Sequence, residues 1–278
     1  PVIQGRKSNQ ERFAGAVASF SIEAMMRDRK ALQSGTSHDL GQNFAKAFEI
    51  QFTDESNELQ FCWTTSWGLS TRMVGAIIMT HGDDQGLRLP PRLAPIQVVI
   101  VPIFRNDDER GPVVETVERL AAALREAGVR VHVDDRENLS PGFKFNDWEM
   151  RGVPLRMEVG PKDVAKNSVA LARRDIPGKA GKEFVSQDGL VALIRERLDA
   201  IQANLLQQAT EFRDSHLREI TGGYDELIRV IRDDEWALAW FCGARPASSA
   251  SRKMPRPSAG ASRWSSPTPA KLARARSA

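Results

Sequence analysis

The sequence predicts an α+β region with an antiparallel sheet over residues 1–93, then an α/β region with a mixed sheet over 94–190. A long helix and an incomplete last region follow over 191–243, and a disordered tail fills 244–278. Three observations predict this. Short segments alternating at period two, "AFEIQFTD" and "LQFCWTTSW", fall in the first third. A continuous apolar run, "IQVVIVPIF", is followed by an amphipathic stretch and a second short apolar run, the order of a βαβ unit. From Asp188 to His216 the chain has no proline and no glycine after Gly189.

The elements follow in order. "ERFAGAVASFSIEAMMRDRKAL" places Ile22, Met25 and Met26 at helical spacing, which predicts a helix. "ALQSGTSHDLGQNF" is rich in glycine and hydroxyl residues and reads as a polar connection. "GLSTRMVGAIIMTHGDD" starts with Gly and hydroxyls and becomes an apolar helix with Arg72 near its start. "RLPPRLAP" is a boundary, because clustered prolines stop both helix and strand.

Beyond the boundary, "IQVVIVPIF" reads as a strand buried on both faces, and "RNDDER" as a solvated charged loop. "GPVVETVERLAAALREAGV" is an amphipathic helix with Arg125 in its last turns and a Gly stop. "RVHVDD", "PLRMEVG" and "SVALARRD" supply strands, and "FKFNDWEMRG" a short helix. A helix over the Asp188–His216 stretch spans about 40 Å at 1.5 Å per residue.

Composition narrows the functional classes. The chain has 278 residues, 41% of them hydrophobic, enough for one large or two ordinary domains. Its formal net charge is +3, but the tail from Ala244 holds eight Lys or Arg and no Asp or Glu. Removing those eight leaves 31 basic residues against 36 acidic ones, so the body carries −5. The basic balance therefore says little about a nucleic-acid-binding body. Two distant cysteines, Cys62 and Cys242, fit a reducing compartment rather than a disulfide framework. No apolar run is long enough for a transmembrane helix, and no secretory pattern opens the chain.

Two stretches carry candidate chemistry. Gln33, Thr36, Ser37 and His38 put an amide, hydroxyls and an imidazole within six positions, beside Gly35. An ordinary polar turn would look the same. Arg72, with Ser70 before it, stands where free helix N–H groups and a guanidinium suit phosphate. A surface ion pair is the bland alternative.

Together, "GTSHDLGQNFAKAFEI", "WTTSWGLSTRMVGAIIMTHGDD", "GLRLPPRLAPIQVVIVPI", "FNDWEMRGVPLRMEVGPKD" and "FVSQ" resemble class II prolyl-tRNA synthetases of the archaeal and eukaryotic type. The resemblance runs in family order to about residue 243. It implies a cytoplasmic ligase that makes prolyl-adenylate from L-proline and ATP, with Mg²⁺ on the phosphates, and passes the prolyl group to tRNA(Pro). It implies ATP contacts from Gln33, Thr36, Ser70 and Arg72, with Arg72 catalytic, and a proline pocket lined by His38. Glu149, Arg156 and Lys162 match positions that contact the anticodon. A salt bridge between Glu149 and Arg156 is the alternative without the resemblance. The full-length family member is expected to be a homodimer.

The sequence departs from that family at both ends. The family's earlier motifs do not precede Pro1, so this portion is expected to be inactive alone, and a non-catalytic tRNA- or RNA-binding fragment is the alternative. The family's last domain often binds zinc through four cysteines, and Cys242 matches the first. Position 247 is Ala247 and no Cys follows, so no zinc is expected. Codon degeneracy lets a shifted frame of the tail read "CExRIKE" and "IPLEQP", close to the family's text, so the tail is expected to be frame-shifted.

Overall fold

In a computed structural model of the protein, residues 1–239 are described. They form two compact units, one of residues 1–80 with the segment from Thr210, the other of residues 81–209. No helix among the described residues is long and apolar enough to cross a membrane.

The first unit is built on a four-stranded antiparallel sheet. Strands β1 (Val2–Arg6), β2 (Ala18–Met25), β3 (Ala31–Gly41) and, two hairpin strands later, β6 (Thr64–Gly68) lie in the order β1-β2-β3-β6. Between β3 and β6 come a short helix α1 (Asn43–Ala47) and the hairpin β4 (Gln51–Thr53) and β5 (Leu59–Phe61). Helix α2 (Arg72–His81) starts directly after β6. Its Met73 and Ala76 pack with Ala24, Met26 and Leu32.

Here the expected helix around Ile22, Met25 and Met26 is wrong. That stretch is β2, with a turn at Met26–Lys30 held by Met26 N–H to Lys30 O and a left-handed Arg29 at φ 63°. The strand buries Ser19 and Ser21 while Phe20 and Ile22 stay exposed. Its polarity is thus inverted relative to an ordinary half-buried strand, and the apolar spacing that remains mimics a helix. The expected polar connection at residues 31–41 is also a strand, β3, paired on both sides. The strand expected over "AFEIQFTD" shrinks to β4, since Ala47 belongs to α1.

The second unit opens with the tight hairpin β7 (Gly82–Asp83) and β8 (Gly86–Leu87). Then come β9 (Val98–Pro102), α3 (Asp107–Glu126), β10 (Val131–Val133), α4 (Pro141–Met150), β11 (Leu155–Val159), α5 (Pro161–Ala165), β12 (Ser168–Arg173) and β13 (Lys182–Ser186). The sheet order is β10-β9-β11-β12-β13, with β10, β9 and β11 parallel and β12 and β13 antiparallel. This is the expected mixed sheet. Helix α6 (Leu190–Ser215) follows. The segment from Thr210, which belongs to the first unit, then adds β14 (Leu217–Glu219), α7 (Tyr224–Arg232) and β15 (Trp236–Leu238), a small parallel pair with its crossover helix.

The apolar run of β9 is buried on both faces, as its sequence requires. Val98 and Ile100 meet α3 and α6 through Val113, Val117, Leu124, Ile194 and Leu198. Val99 and Val101 meet Trp148 of α4 and Val153. The "RNDDER" segment is not a loop. It forms the first turn of α3, where Asn106 Oδ1 accepts from Glu109 N–H at 2.9 Å and Asp107, Asp108 and Glu109 face the positive end of the helix dipole. Gly128, at φ 80°, ends the helix in the left-handed conformation that favours glycine.

One buried polar node ties α4 to the sheet. Asp134 is fully buried; it accepts from Arg136 Nε at 2.9 Å and Nη2 at 2.7 Å, and from Trp148 Nε1 at 2.8 Å. Lys144 Nζ, also buried, donates to the Asp134 carbonyl at 3.1 Å. Burial pushes the Asp134 carboxyl up. The hydrogen bonds from Arg136 and Trp148 and the charge of Lys144 outweigh burial and hold it well below the usual carboxylate range. A carboxyl lowered on folding contributes stability above its unfolded pKa and loses it as pH falls through the folded one. Asp134→Ala should therefore cost about 3–5 kcal/mol at neutral pH, by urea unfolding, since it strands two cations and an indole. The gap in Tm between variant and parent should narrow as pH drops below about 4.

Candidate functional site

On the first unit's sheet, register decides which side chains share a face. Val2 to Arg6 pair with Ala24 to Phe20, so Ile3 and Gly5 lie beside Glu23 and Ser21. Ser19 lies opposite His38 and Ser21 opposite Thr36. On the other side of β3, His38 lies opposite Ser66 and Thr36 opposite Gly68. One face is thus small and polar.

Gln33 should not belong to this face, because an odd offset from Thr36 points the other way along a regular strand. A β-bulge changes that. Ile22 pairs with Gly35 but Glu23 pairs with Gln33, which leaves Ser34 without a partner. Glu23 shares its face with Ser21 and Ser19, so Gln33 joins Thr36 and His38. The contacts agree: Lys7 Nζ donates to Gln33 Oε1 at 2.6 Å, and Ser21 Oγ donates to Glu23 Oε1 at 3.2 Å. Ser19 Oγ lies 2.8 Å from His38 Nδ1, and the Phe13 ring centroid is 4.9 Å from that of His38. The structure therefore brings Gln33, Thr36 and His38 together.

Arg72 and Ser70 enter from the end of β6. Gly68 lies so close to Thr36 that a Cβ there would sit 2.9 Å from Thr36 Oγ1. The chain then turns through Ser70, whose Oγ accepts from the Arg72 N–H at 3.3 Å, into α2. Both residues are exposed at the helix start. The sequence alone did not single out Lys7, Ser19 and Ser21. The strand pairing exposes them as members of the face, a signal hidden while β2 was read as a helix.

In the second unit, β11 sends Leu155, Met157 and Val159 into the core and Arg156 and Glu158 to the opposite face. Arg156 Nη1 donates to Glu149 Oε1 at 2.6 Å, from the last turn of α4, and its Nε donates to Glu158 Oε1 at 3.2 Å. The guanidinium lies 4.0 Å from the Phe145 ring centroid. Lys182 Nζ on β13 donates to the other Glu158 oxygen at 2.7 Å. Glu149 and Arg156 share a cleft of about 320 Å³ with Arg173, Arg174, Lys179 and Lys182. The salt bridge considered from sequence is present, inside a cleft rather than on an open surface.

Lys162 stands apart. It is exposed on α5, whose Val164 packs into the core on the other side of the sheet, and it does not line the cleft. Cys242 lies outside the described residues. Among the described residues, no three His, Cys, Asp or Glu side chains are grouped to hold a metal.

The hairpin β7–β8 closes one side of the cleft. Arg174 grips Asp83 with both Nη atoms, at 2.9 Å for Nη1, and its Nε reaches the Glu149 carbonyl at 3.4 Å. Gly86 fits against Met150, and Gly152 against Leu87, where a Cβ would collide in each case.

Comparison with known proteins places these two faces in context. Residues 97–197 match the family model "Anticodon binding domain". Over 243 residues the chain is 59% identical to "Proline--tRNA ligase" of Chloroflexus aurantiacus, covering 87% of this chain and 50% of that protein. It is 56% identical over 240 residues to "Proline--tRNA ligase, chloroplastic/mitochondrial" of Arabidopsis thaliana, covering 85% of this chain and 44% of that one. The fold matches a crystal structure of prolyl-tRNA synthetase from Cryptosporidium parvum complexed with L-proline and AMP. That match has a TM-score of 0.83 and 37% identity, over 91% of this chain and 54% of that one. The chain spans about half the length of these relatives.

The loop after β12 is packed without slack. A Cβ on Gly181 would fall 2.3 Å from the Ile176 carbonyl oxygen and 2.9 Å from that of Arg173, both rigid backbone. Gly181→Ala should lower stability by about 1–3 kcal/mol in urea unfolding. Gly111→Ala, where nothing lies within 4 Å, should raise it slightly by its better helix propensity.

Proposed function

We propose that this chain is part of a class II proline–tRNA ligase of the archaeal and eukaryotic type. Residues 1–93 belong to its catalytic domain and 94–190 to its anticodon-binding domain. The observation that carries the catalytic half is the bulge at Ser34, which puts Gln33 on one face with Thr36 and His38, next to the turn that leads to Arg72. The type assignment draws on the motif resemblance and on the likeness to the Cryptosporidium parvum structure. A dimeric cytoplasmic enzyme belongs to the same reading and draws on the resemblance.

The chemistry suits the groups. ATP enters as its Mg²⁺ complex. A carboxylate oxygen of L-proline attacks the α-phosphorus and pyrophosphate leaves; a ribose hydroxyl of tRNA(Pro) then attacks the prolyl carbonyl and AMP leaves. Charge grows on phosphate oxygens in the first step, where Arg72 and the free N–H groups of α2 stabilise it. Gln33 and Thr36 offer an amide and a hydroxyl to the nucleotide. His38, fixed by Ser19 and flanked by Phe13, gives the small ring of proline one polar and one apolar neighbour. In the second unit, Glu149 and Arg156 offer an acceptor and a forked donor to exposed edges of unpaired bases, and Lys162 adds a cation outside the cleft. Cys242 alone offers one zinc ligand where a structural site needs four.

Binding of tRNA(Pro) transcripts tests the anticodon half on this chain directly. Glu149→Gln should weaken the native anticodon by about tenfold and anticodon-substituted transcripts by less. Equal loss on both would reduce the Glu149–Arg156 pair to a structural salt bridge. In the polypeptide carrying this chain, Arg72→Ala should slow proline-dependent ATP–pyrophosphate exchange by about 10²- to 10³-fold. Gly68→Ala, which crowds Thr36, should raise KM for ATP, whereas Gly75→Ala, with open space around it, should not.

A further inference from the structure

We infer that Ser19 is a positioning residue that sets the polarity of His38. Its hydroxyl donates to Nδ1, the ring then presents an Nε2–H donor to the pocket, and that donor reads the carboxyl end of the bound amino acid rather than its amine. This rests on the reading of His38 as a wall of the proline pocket and deepens it.

Strand pairing brings the two residues together. Ser19 on β2 and His38 on β3 are cross-strand partners, with Oγ 2.8 Å from Nδ1. The distance does not say which atom holds the hydrogen, but the other bonding of Ser19 does. Ser19 is fully buried, and its Oγ already accepts from the Phe13 N–H at 3.1 Å. A serine hydroxyl has one hydrogen and two lone pairs. With a hydrogen on Nδ1, Oγ would accept twice and its own hydrogen would be left without an acceptor. Among the described residues, His38 Nδ1 is the only acceptor at this hydroxyl. A buried hydrogen bond left unmade is the costlier arrangement. The hydrogen therefore stays on Oγ, Nδ1 accepts it, and the neutral ring carries its hydrogen on Nε2.

The surroundings hold this arrangement in place. Lys7 N–H donates to the Ser19 carbonyl at 2.8 Å, fixing β2 at this residue from the β1 side. The Phe13 ring lies beside the imidazole, with centroids 4.9 Å apart and planes at 32°. One hydroxyl thus anchors both walls, the Phe13 backbone and the His38 ring. A flipped imidazole would set a carbon against Oγ and lose the bond. Nε2 makes no hydrogen bond among the described residues and is open to a ligand. A donor there is selective. At neutral pH the amine of an amino acid is protonated and only donates, whereas its carboxylate only accepts. The carboxyl end keeps an acceptor oxygen as adenylate and as ester, so one contact from Nε2–H serves both steps.

Two measurements test this. The ¹⁵N spectrum of the histidine side chains of this chain, recorded with the rings neutral and with His38 assigned by its loss in His38→Gln, should show Nδ1 bare and Nε2 protonated. In Ser19→Ala the same spectrum should show both tautomers. The opposite tautomer in the parent, or a mixture there, would overturn the inference and leave the broader reading standing. In the polypeptide carrying this chain, Ser19→Ala should raise KM for L-proline in ATP–pyrophosphate exchange by about 3- to 10-fold, the worth of one hydrogen bond, with KM for ATP nearly unchanged. Ser19→Thr, which keeps the hydroxyl, should recover it. An unchanged KM for L-proline, or an equal rise in both KM values, would make Ser19 a packing residue and overturn its part in reading the substrate. A parent polypeptide without proline-dependent exchange would remove the broader reading and the substrate contact with it, while the tautomer would still stand or fall on the spectrum.

Discussion

Arg156 sits on an interior strand of a five-stranded sheet, and most of the second unit's outer face follows from keeping it there. Its neighbours Leu155, Met157 and Val159 are fully buried in the core, so the register of β11 cannot slip without exposing all three. Arg156 is therefore committed to the opposite face. A guanidinium held against apolar surface is costly unless its donors are used. Glu149 and Glu158 use them, and Phe145 offers its ring. Those partners in turn fix α4 through Glu149 and β13 through the Glu158–Lys182 bridge. The cleft is thus an outcome of how one strand neutralises its charges. Its walls are rigid for the same reason, which suits selection among bases better than adaptable loops would.

The first unit meets an opposite problem. Its polar face has to gather groups from a strand whose alternation separates them. The unpaired residue Ser34 solves it by letting Gln33 swing to the face of Thr36 and His38. Bulges of this kind bend the strand and re-aim one side chain without breaking the ladder on either side. The same face carries small residues, Gly5, Ser19, Ser21, Ser66 and Gly68, which leave it shallow. The large apolar residues of these strands, Phe20, Ile22 and Trp67, are left for the other face, where they remain exposed.

Much of the second unit is legible in sequence, because its elements are defined by burial. A run such as Val98–Val101 has one reading, and the Gly128 stop and the βαβ order follow from backbone sterics. The first unit is less legible. Burial of Ser19 and Ser21 with exposure of Phe20 reverses the pattern that identifies a strand, and the remaining spacing of Ile22, Met25 and Met26 mimics a helix. Likewise, β3 carries hydroxyls and glycine because its face is polar on purpose, which is also what a turn looks like. "RNDDER" reads as a solvated run because capping depends on geometry that composition does not contain. For the site, residue types alone group Gln33, Thr36 and His38 and pick out Arg72; their roles, and the choice of Glu149 and Arg156, rest on resemblance. The bulge and the meeting of Arg156, Glu158 and Lys182 on one face depend on register, which no single strand encodes.

Charge narrows what the proposed binding to tRNA would mean for this body. Residues 1–243 carry −5, so non-specific attraction to a polyanion is weak or absent over the bulk of the surface. Around the cleft the balance is reversed by a single lysine, since the other four cations are matched. Phosphate contacts contribute affinity that is lost with salt, whereas base contacts contribute discrimination. A surface with few unneutralised cations and several forked or stacked groups therefore spends little of its free energy on any RNA and more on the right one. That distribution would suit discrimination among unpaired bases more than general attraction to RNA, and it is set by residues outside the basic tail.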